Sequence, residues 1–207
     1  MKLSTLSILL GLGMGLPQVY GLMNPAKFRE GVRKFPRSEP IGYALILIGT
    51  VWFLWNLNQE NISDFAAYKK AMLIGFAAVG VATCIYVRDF LAVRGLAIVL
   101  LLLAKVMVDT GRPSLGETPW VLVIQTWAYL LVVAGIWFTI SPWRLRDLLD
   151  WATATDTRVR VGSGIRLAFG LFVAVLGLTV FRQVEAQAAS QGANGAAPSA
   201  IERSPGP

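Results

Sequence analysis

The sequence contains no histidine and only one cysteine, Cys84. Histidine is the usual axial ligand of haem, the commonest metal ligand and the commonest general base near neutral pH. Its absence excludes bis-histidine haem b, histidine-ligated zinc and a Ser-His-Asp triad. The chain also lacks a Cys-x-x-Cys motif, a P-loop and a dinucleotide-binding glycine motif. We therefore expect no cofactor, no metal site and no enzymatic activity.

Charged residues are also scarce. They make up 15% of the chain, against about a quarter in an average soluble protein. Hydrophobic residues make up 55%, and the mean hydropathy is +0.58. A chain this apolar is neither disordered nor typical of a soluble enzyme. The composition therefore predicts a polytopic membrane protein.

The sequence contains several long apolar runs. A membrane helix needs about 20 mostly apolar residues to cross about 30 Å of hydrocarbon. The fourth predicted span is the weakest, because it crosses only if Arg94 and Lys105 extend their charges toward opposite membrane surfaces. The predicted spans cover residues 3–23, 41–57, 71–87, 90–108, 120–140 and 165–181.

The distribution of basic residues supports the fourth span. With six spans, the loops at residues 24–40, 88–94 and 141–164 share one side of the membrane. With Arg166 assigned to that side, it carries 12 of the 19 basic residues, whereas the 12 acidic residues divide evenly between the two sides. An excess of lysine and arginine marks the cytoplasmic side. We therefore expect both termini to be extracytoplasmic, in a cell membrane that we take to be the bacterial inner membrane.

These spans predict an all-α fold, a six-helix bundle of three helical hairpins in one domain over residues 1–182. Residues 183–207 are rich in Ala, Gly, Ser, Gln and Pro. They are expected to extend the last helix briefly and then to form a disordered extracytoplasmic tail. An alternative for the first span is a cleaved signal peptide, but no small-x-small cleavage site follows it.

A weak internal repeat links two of the basic loops. Residues 24–29 are NPAKFR and residues 141–146 are SPWRLR, and each segment directly follows a span. Both resemble a helix start, in which Asn or Ser caps free amides and proline takes the first helical position. We predict amphipathic helices at residues 25–35 and 142–152, lying on the cytoplasmic membrane surface, with Phe28 and Leu145 pointing into the bilayer or bundle.

Glycines extend the correspondence into the spans that follow. Gly42 and Gly49 lie seven residues apart in the second span, as do Gly170 and Gly177 in the sixth. Small residues two turns apart form a seam along which another helix can approach closely. The middle hairpin keeps a basic loop at residues 88–95 but lacks the proline. We therefore expect a pseudosymmetric bundle with two matched hairpins and one degenerate one.

Four polar residues in or beside the spans are candidates for a polar path: Gln18, Lys105, Asp109 and Gln125. Lys105 and Asp109 are four residues apart, so they share a helical face and are expected to form an ion pair. Ionisable residues within a membrane span are costly and often functional. The favoured alternative for Lys105 is a side chain that reaches outward from a helix end. For Gln18, which follows two glycines in a GxxxG pair, helix packing is favoured over a polar site.

The basic loop residues are candidates for contacts with lipid headgroups. The alternative is that they only mark the cytoplasmic side of the membrane. The net charge of +7 does not indicate nucleic acid as a partner, because these charges flank membrane spans. We expect anionic lipid at the cytoplasmic face instead. The candidate headgroup contacts are Lys27, Arg29, Arg33, Arg88, Arg94, Arg144 and Arg146.

Three functional hypotheses follow. The leading one is a non-enzymatic accessory or interaction subunit of a membrane assembly, which binds another membrane protein or a second copy of itself. It should leave a small-residue or aromatic face open to the partner. The second is a small-solute transporter or channel, whose four polar residues should converge on a cavity. The third is a membrane enzyme acting on a lipid phosphate through Arg88, Asp89 and Arg94, which requires a cleft at the cytoplasmic surface.

Overall fold

A computed structural model describes residues 1–60, 67–87 and 89–195. These residues form helices and connecting turns, and six of the helices are long and apolar enough to cross a membrane. The predicted fold class, an all-α polytopic bundle, is confirmed. The six long helices are α1 (Leu3–Met23), α3 (Glu39–Gln59), α4 (Lys69–Tyr86), α5 (Leu91–Gly111), α6 (Val121–Ile140) and α8 (Asp156–Leu176). The shorter ones are α2 (Pro25–Lys34), α7 (Trp143–Ala152) and α9 (Arg182–Gly195).

The weakest predicted span forms the centre of the bundle. Helix α5 packs against α3 on one side and α6 on the other, and it buries Ala97, Ala104 and Met107 completely. Helix α1 packs along α8 in the opposite direction and joins the rest of the bundle at the end where Leu3 and Leu6 meet α5 and α6. Helix α4 packs only against α3 among the long helices.

The predicted glycine seams are confirmed. A Cβ atom at Gly42 would lie 2.8 Å from the backbone nitrogen of Ala92 on α5, so the two helices touch backbone to backbone. A Cβ atom at Gly177 would lie 2.9 Å from the carbonyl oxygen of Ser4 on α1. Glycine is required at both positions because any side chain would force the helices apart.

The seams also explain why the prediction of three helical hairpins was wrong. The helices on either side of the three basic loops, α1 and α3, α4 and α5, and α6 and α8, do not pack along each other. Helices α2 and α7 separate two of these pairs, and the glycines of α3 and α8 face α5 and α1 instead. The long helices pack instead across the other connections, α3 on α4 and α5 on α6, and with helices that are not consecutive, α3 on α5 and α1 on α8.

The two predicted surface helices form at α2 and α7, each directly after a long helix. Leu145 is buried and Phe28 is half-buried against Gly21, so both point into the bundle. The predicted side-chain caps were wrong. The Asn24 side chain makes no capping hydrogen bond, and α7 starts after Pro142 rather than after Ser141. Proline alone, with its fixed φ angle and missing N–H, marks these helix starts.

The last span is longer than predicted at both ends. Helix α8 begins at Asp156, where the Thr155 hydroxyl accepts a hydrogen bond of 3.3 Å from the Arg158 amide. At its other end a π-helical stretch, Gly177–Phe181, leads directly into α9. The chain stays helical to Gly195, and the remainder of the predicted tail lies outside the described residues.

Candidate functional site

A cleft lies at the end of the bundle where α1 finishes and α8 begins. It has a volume of about 570 Å³ and is lined by side chains from α1, α2, α7 and α8. The size is within the range of about 300–1,000 Å³ that is common for ligand sites. Most of the lining is apolar, and its apolar members include Phe28, Val32, Leu149, Val159 and Ile165.

Ion pairs hold the two surface helices in place around this cleft. The Arg33 Nε of α2 donates a hydrogen bond of 3.0 Å to the Thr153 hydroxyl and lies 3.3 Å from the Asp150 carboxylate of α7. The Arg29 guanidinium lies 3.1 Å from the Asp156 carboxylate at the start of α8. These contacts join α2 to α7 and to the start of α8 around the cleft.

Two arginines of α8 face the cleft. Arg158, Gly162 and Arg166 follow one another at intervals of four residues, which places them on one helical face, and all three line the cavity. The Arg158 guanidinium donates to the Trp151 carbonyl oxygen at 3.2 Å and lies over the Trp151 ring, 5.5 Å from its centroid. The Arg166 side chain leans back toward Gly162. Within the described part of the chain, neither guanidinium pairs with a carboxylate.

Gln18 of α1 also lines the cleft. Its Oε1 atom is buried and accepts no hydrogen bond from the described residues. A buried carbonyl oxygen without a donor costs about 1–3 kcal/mol. The terminal torsion of glutamine is soft, so the amide can rotate to present either its oxygen or its nitrogen to the cavity. The Gln18 Oε1 is therefore a polar atom at a mostly apolar wall, with no donor among the described residues.

The structure does not bring the four candidate polar-path residues together. Lys105 forms the expected ion pair with Asp109 at 2.7 Å and a second one with Glu60 at 3.2 Å, and its side chain is 44% exposed. Gln125 donates a hydrogen bond of 3.3 Å to the Val108 carbonyl oxygen. Gln18 lies at the opposite end of the bundle. No hydrogen bond or ion pair among the described residues joins Lys105 or Asp109 to either glutamine.

The candidate headgroup residues occupy several environments. Arg29 and Arg33 join helices to one another, as described above. Arg146 pairs with its neighbour Asp147 at 2.8 Å. The Nε of Arg94 is buried and has no partner among the described residues. Two further members, Lys27 and Arg144, are exposed. Arg88 lies outside the described residues.

Sequence reasoning did not single out Arg158 or Arg166 as cleft residues, and it counted them only among the basic residues on one side of the membrane. The pattern Arg-x-x-x-Gly-x-x-x-Arg was the available clue, because it predicts two arginines on one face with an open position between them. Asp89, the carboxylate proposed for a lipid-phosphate enzyme, is exposed on the turn before α5 and does not line this cleft.

A second candidate surface lies on α4. Ala71, Gly75, Ala78 and Ala82 recur at intervals of four, three and four residues and form a stripe of small residues. A turn of about 100° per residue places this stripe opposite Gly80, which contacts Thr50 of α3. The first three stripe residues are exposed, and a Cβ atom at Gly75 would meet nothing within 4 Å. The stripe therefore faces away from the described part of the protein.

Comparison with known proteins does not assign a function to the cleft or to the α4 stripe. No protein-family model matches the chain, and no curated protein and no solved structure gives a match.

Proposed function

We propose that the protein is a non-enzymatic integral membrane subunit that binds a transmembrane helix of another membrane protein through α4. The observation that carries this proposal is the small-residue stripe at Ala71, Gly75, Ala78 and Ala82, which faces away from α3. It fits the leading hypothesis, under which an interaction subunit leaves a small-residue face open to its partner.

The chemistry of the bilayer explains why such a stripe suits a partner helix. Lipid tails are as apolar as leucine, so helices in a membrane associate by close packing rather than by the hydrophobic effect. Small residues allow two backbones to approach, as Gly42 and Gly177 do inside this bundle. Helix α4 buries none of its residues in the described structure, in contrast to the other long helices. A partner helix would supply the packing that it lacks.

The transporter hypothesis receives less support. It requires Gln18, Lys105, Asp109 and Gln125 around a common cavity. Of these four residues only Gln18 lines the cleft, whereas Lys105 pairs with Asp109 and Gln125 bonds to Val108. The lipid-enzyme hypothesis requires a catalytic group in the cleft. The described residues that line the cleft include no carboxylate.

Photocrosslinking in native membranes tests the proposal. Cysteine replaces Ala78 in a Cys84→Ala background and is labelled with a maleimide-benzophenone reagent. We expect an adduct with one membrane protein, and we expect Gly75→Leu to abolish it because the larger side chain fills the stripe. Val81→Leu is the matched control, since Val81 is 53% exposed on another face of α4. The proposal fails if no adduct forms, if Gly75→Leu leaves it unchanged, or if the adduct is only a dimer of this chain.

A further inference from the structure

The cleft between α2, α7 and α8 combines a positive rim with an apolar wall. The positive charge comes from Arg158 and Arg166, and the wall from residues such as Phe28, Val32 and Leu149. Asp150 of α7 and Asp156 of α8 pair with Arg33 and Arg29 rather than with the two arginines of the rim. A ligand that matches both parts carries a negative charge at one end and a hydrocarbon chain at the other.

The position of the cleft fits a ligand from the bilayer. It opens beside α2 and α7, the two amphipathic helices that lie at the end of the spans. The five residues between Gln18 and the end of α1 correspond to a depth of about 7–8 Å at 1.5 Å per residue.

Helix α1 runs antiparallel to α8, with Gly21 against Ser163 and Gly15 against Leu167, so Gln18 lies level with the backbone of Arg166. The Arg166 side chain leans back by one helical turn, about 5 Å, toward Gly162. Gln18 therefore lies below the Arg166 guanidinium, at the level of the glycerol esters of a phospholipid whose phosphate is bound there.

We propose that this cleft binds one anionic phospholipid molecule. Its phosphate lies between Arg158 and Arg166, one acyl chain lies along Phe28 and Leu149, and the Gln18 amide hydrogen-bonds the glycerol ester region. The guanidinium group suits this role because its planar array of donors matches phosphate oxygens. Trp151 holds Arg158 in position before the lipid arrives, since it both accepts a hydrogen bond from the guanidinium and stacks beneath it. This proposal does not depend on the α4 stripe.

Binding of individual lipids to the full chain, measured by native mass spectrometry from detergent, tests the charge recognition. We expect one phosphatidylglycerol molecule to bind at least about tenfold more tightly than phosphatidylcholine, which has no net charge. The double variant Arg158→Gln/Arg166→Gln should lose this preference. Arg160→Gln/Arg37→Gln removes the same charge from two exposed arginines outside the cleft and should keep it.

Two glycine-to-leucine variants, one inside the cleft and one outside it, test the location of the lipid site independently of charge. Gly162 lines the cleft, and a Cβ atom there would approach only the Arg166 side chain, at 3.9 Å. Gly164 lies two residues further along α8 and meets nothing within 4 Å. We expect Gly162→Leu to reduce phosphatidylglycerol binding at least about tenfold, and Gly164→Leu to leave it unchanged. The two variants share the same change of residue type in the same helix, so an effect on folding alone would appear in both.

Three results would overturn the proposal. Equal binding of phosphatidylglycerol and phosphatidylcholine would show that the rim does not recognise charge. An equal loss in the Arg160→Gln/Arg37→Gln control would show general attraction by basic residues. Full displacement of the lipid by equimolar glycerol 3-phosphate would show that the cleft recognises a soluble phosphate ester, for which the apolar wall is unnecessary.

Discussion

The Glu185 carboxylate accepts two hydrogen bonds from Ser4, one of 3.0 Å from the backbone amide and one of 2.7 Å from the hydroxyl. The first amides of a helix have no partner within the helix, and the positive end of the helix dipole favours an anion. Glu185 therefore caps α1 although it belongs to α9, at the other end of the chain. This contact explains why the chain stays ordered beyond the last predicted span.

The Ser4–Glu185 contact leads to the first prediction. Glu185→Ala should destabilise the protein by about 1–2 kcal/mol, the usual effect of losing a helix cap. Limited trypsin treatment should also cut more readily after Arg182, because α9 loses its attachment to α1. Thermal unfolding in detergent and the rate of cleavage measure the two effects. Gln183→Ala is the control, as Gln183 is exposed on the same helix. Equal melting temperatures for the two variants would contradict a capping role.

The second prediction concerns the contact between α1 and α8. A Cβ atom at Gly11 would lie 2.7 Å from the backbone nitrogen of Ala174 and 2.9 Å from its Cβ, so Gly11→Ala forces the helices apart. We expect a loss of about 1–3 kcal/mol, typical of overpacking. At Gly13 a Cβ atom meets nothing within 4 Å. Gly13→Ala should therefore be neutral or stabilising by up to about 1 kcal/mol, through its helix propensity.

Thermal unfolding of both alanine variants in the same detergent decides this prediction. The two positions lie on one helix and receive the same substitution, so only their contacts differ. A smaller loss of stability in Gly11→Ala than in Gly13→Ala would contradict the close approach of α1 and α8.

Hydropathy and proline positions were sufficient to predict the helices, because each depends on local sequence. The six spans follow from runs of apolar residues, and Pro25 and Pro142 mark the two surface helices. The packing partners were not predictable in the same way. Gly42 indicates that some helix comes close, but a glycine accepts any neighbour equally well, so nothing local selects α5 over the adjacent spans.

The cleft could not be predicted from the local sequence either, because it depends on which helices pack together. Arg158 and Arg166 mark one face of α8 in the sequence, and their spacing was open to prediction. Gln18 reaches that face only because α1 packs along α8. That packing depends on glycines at both ends of the chain, and no local pattern relates them. The ion pair between Arg33 and Asp150 joins α2 to α7 beside the cleft, although both residues resemble ordinary surface charges in the sequence.

The third prediction concerns orientation in the membrane. The excess of basic residues favours a cytoplasmic location for the loop that contains α7 and the start of α8. In a Cys84→Ala background, a cysteine at Arg160 should resist an impermeant thiol reagent in intact cells. A cysteine at Glu117, in the turn before α6, should react. Both should react after the membrane is permeabilised, which controls for accessibility. Labelling of the cysteine at 160 in intact cells would reverse the proposed orientation.

The fourth prediction concerns Lys105, the basic residue in the C-terminal half of α5. Its ammonium pairs with Asp109 and Glu60, but all three side chains are about half exposed. Ion pairs of this kind contribute about 0–1 kcal/mol. We therefore expect Lys105→Met to change neither the expression level nor the crosslinked adduct at α4, and to lower the free energy of unfolding by less than about 1 kcal/mol. Lys105→Glu places a third carboxylate beside two others and should destabilise the protein more. If Lys105→Met instead abolished assembly, the lysine would have to contact a partner chain, and the partner interface would extend from α4 to this end of α5.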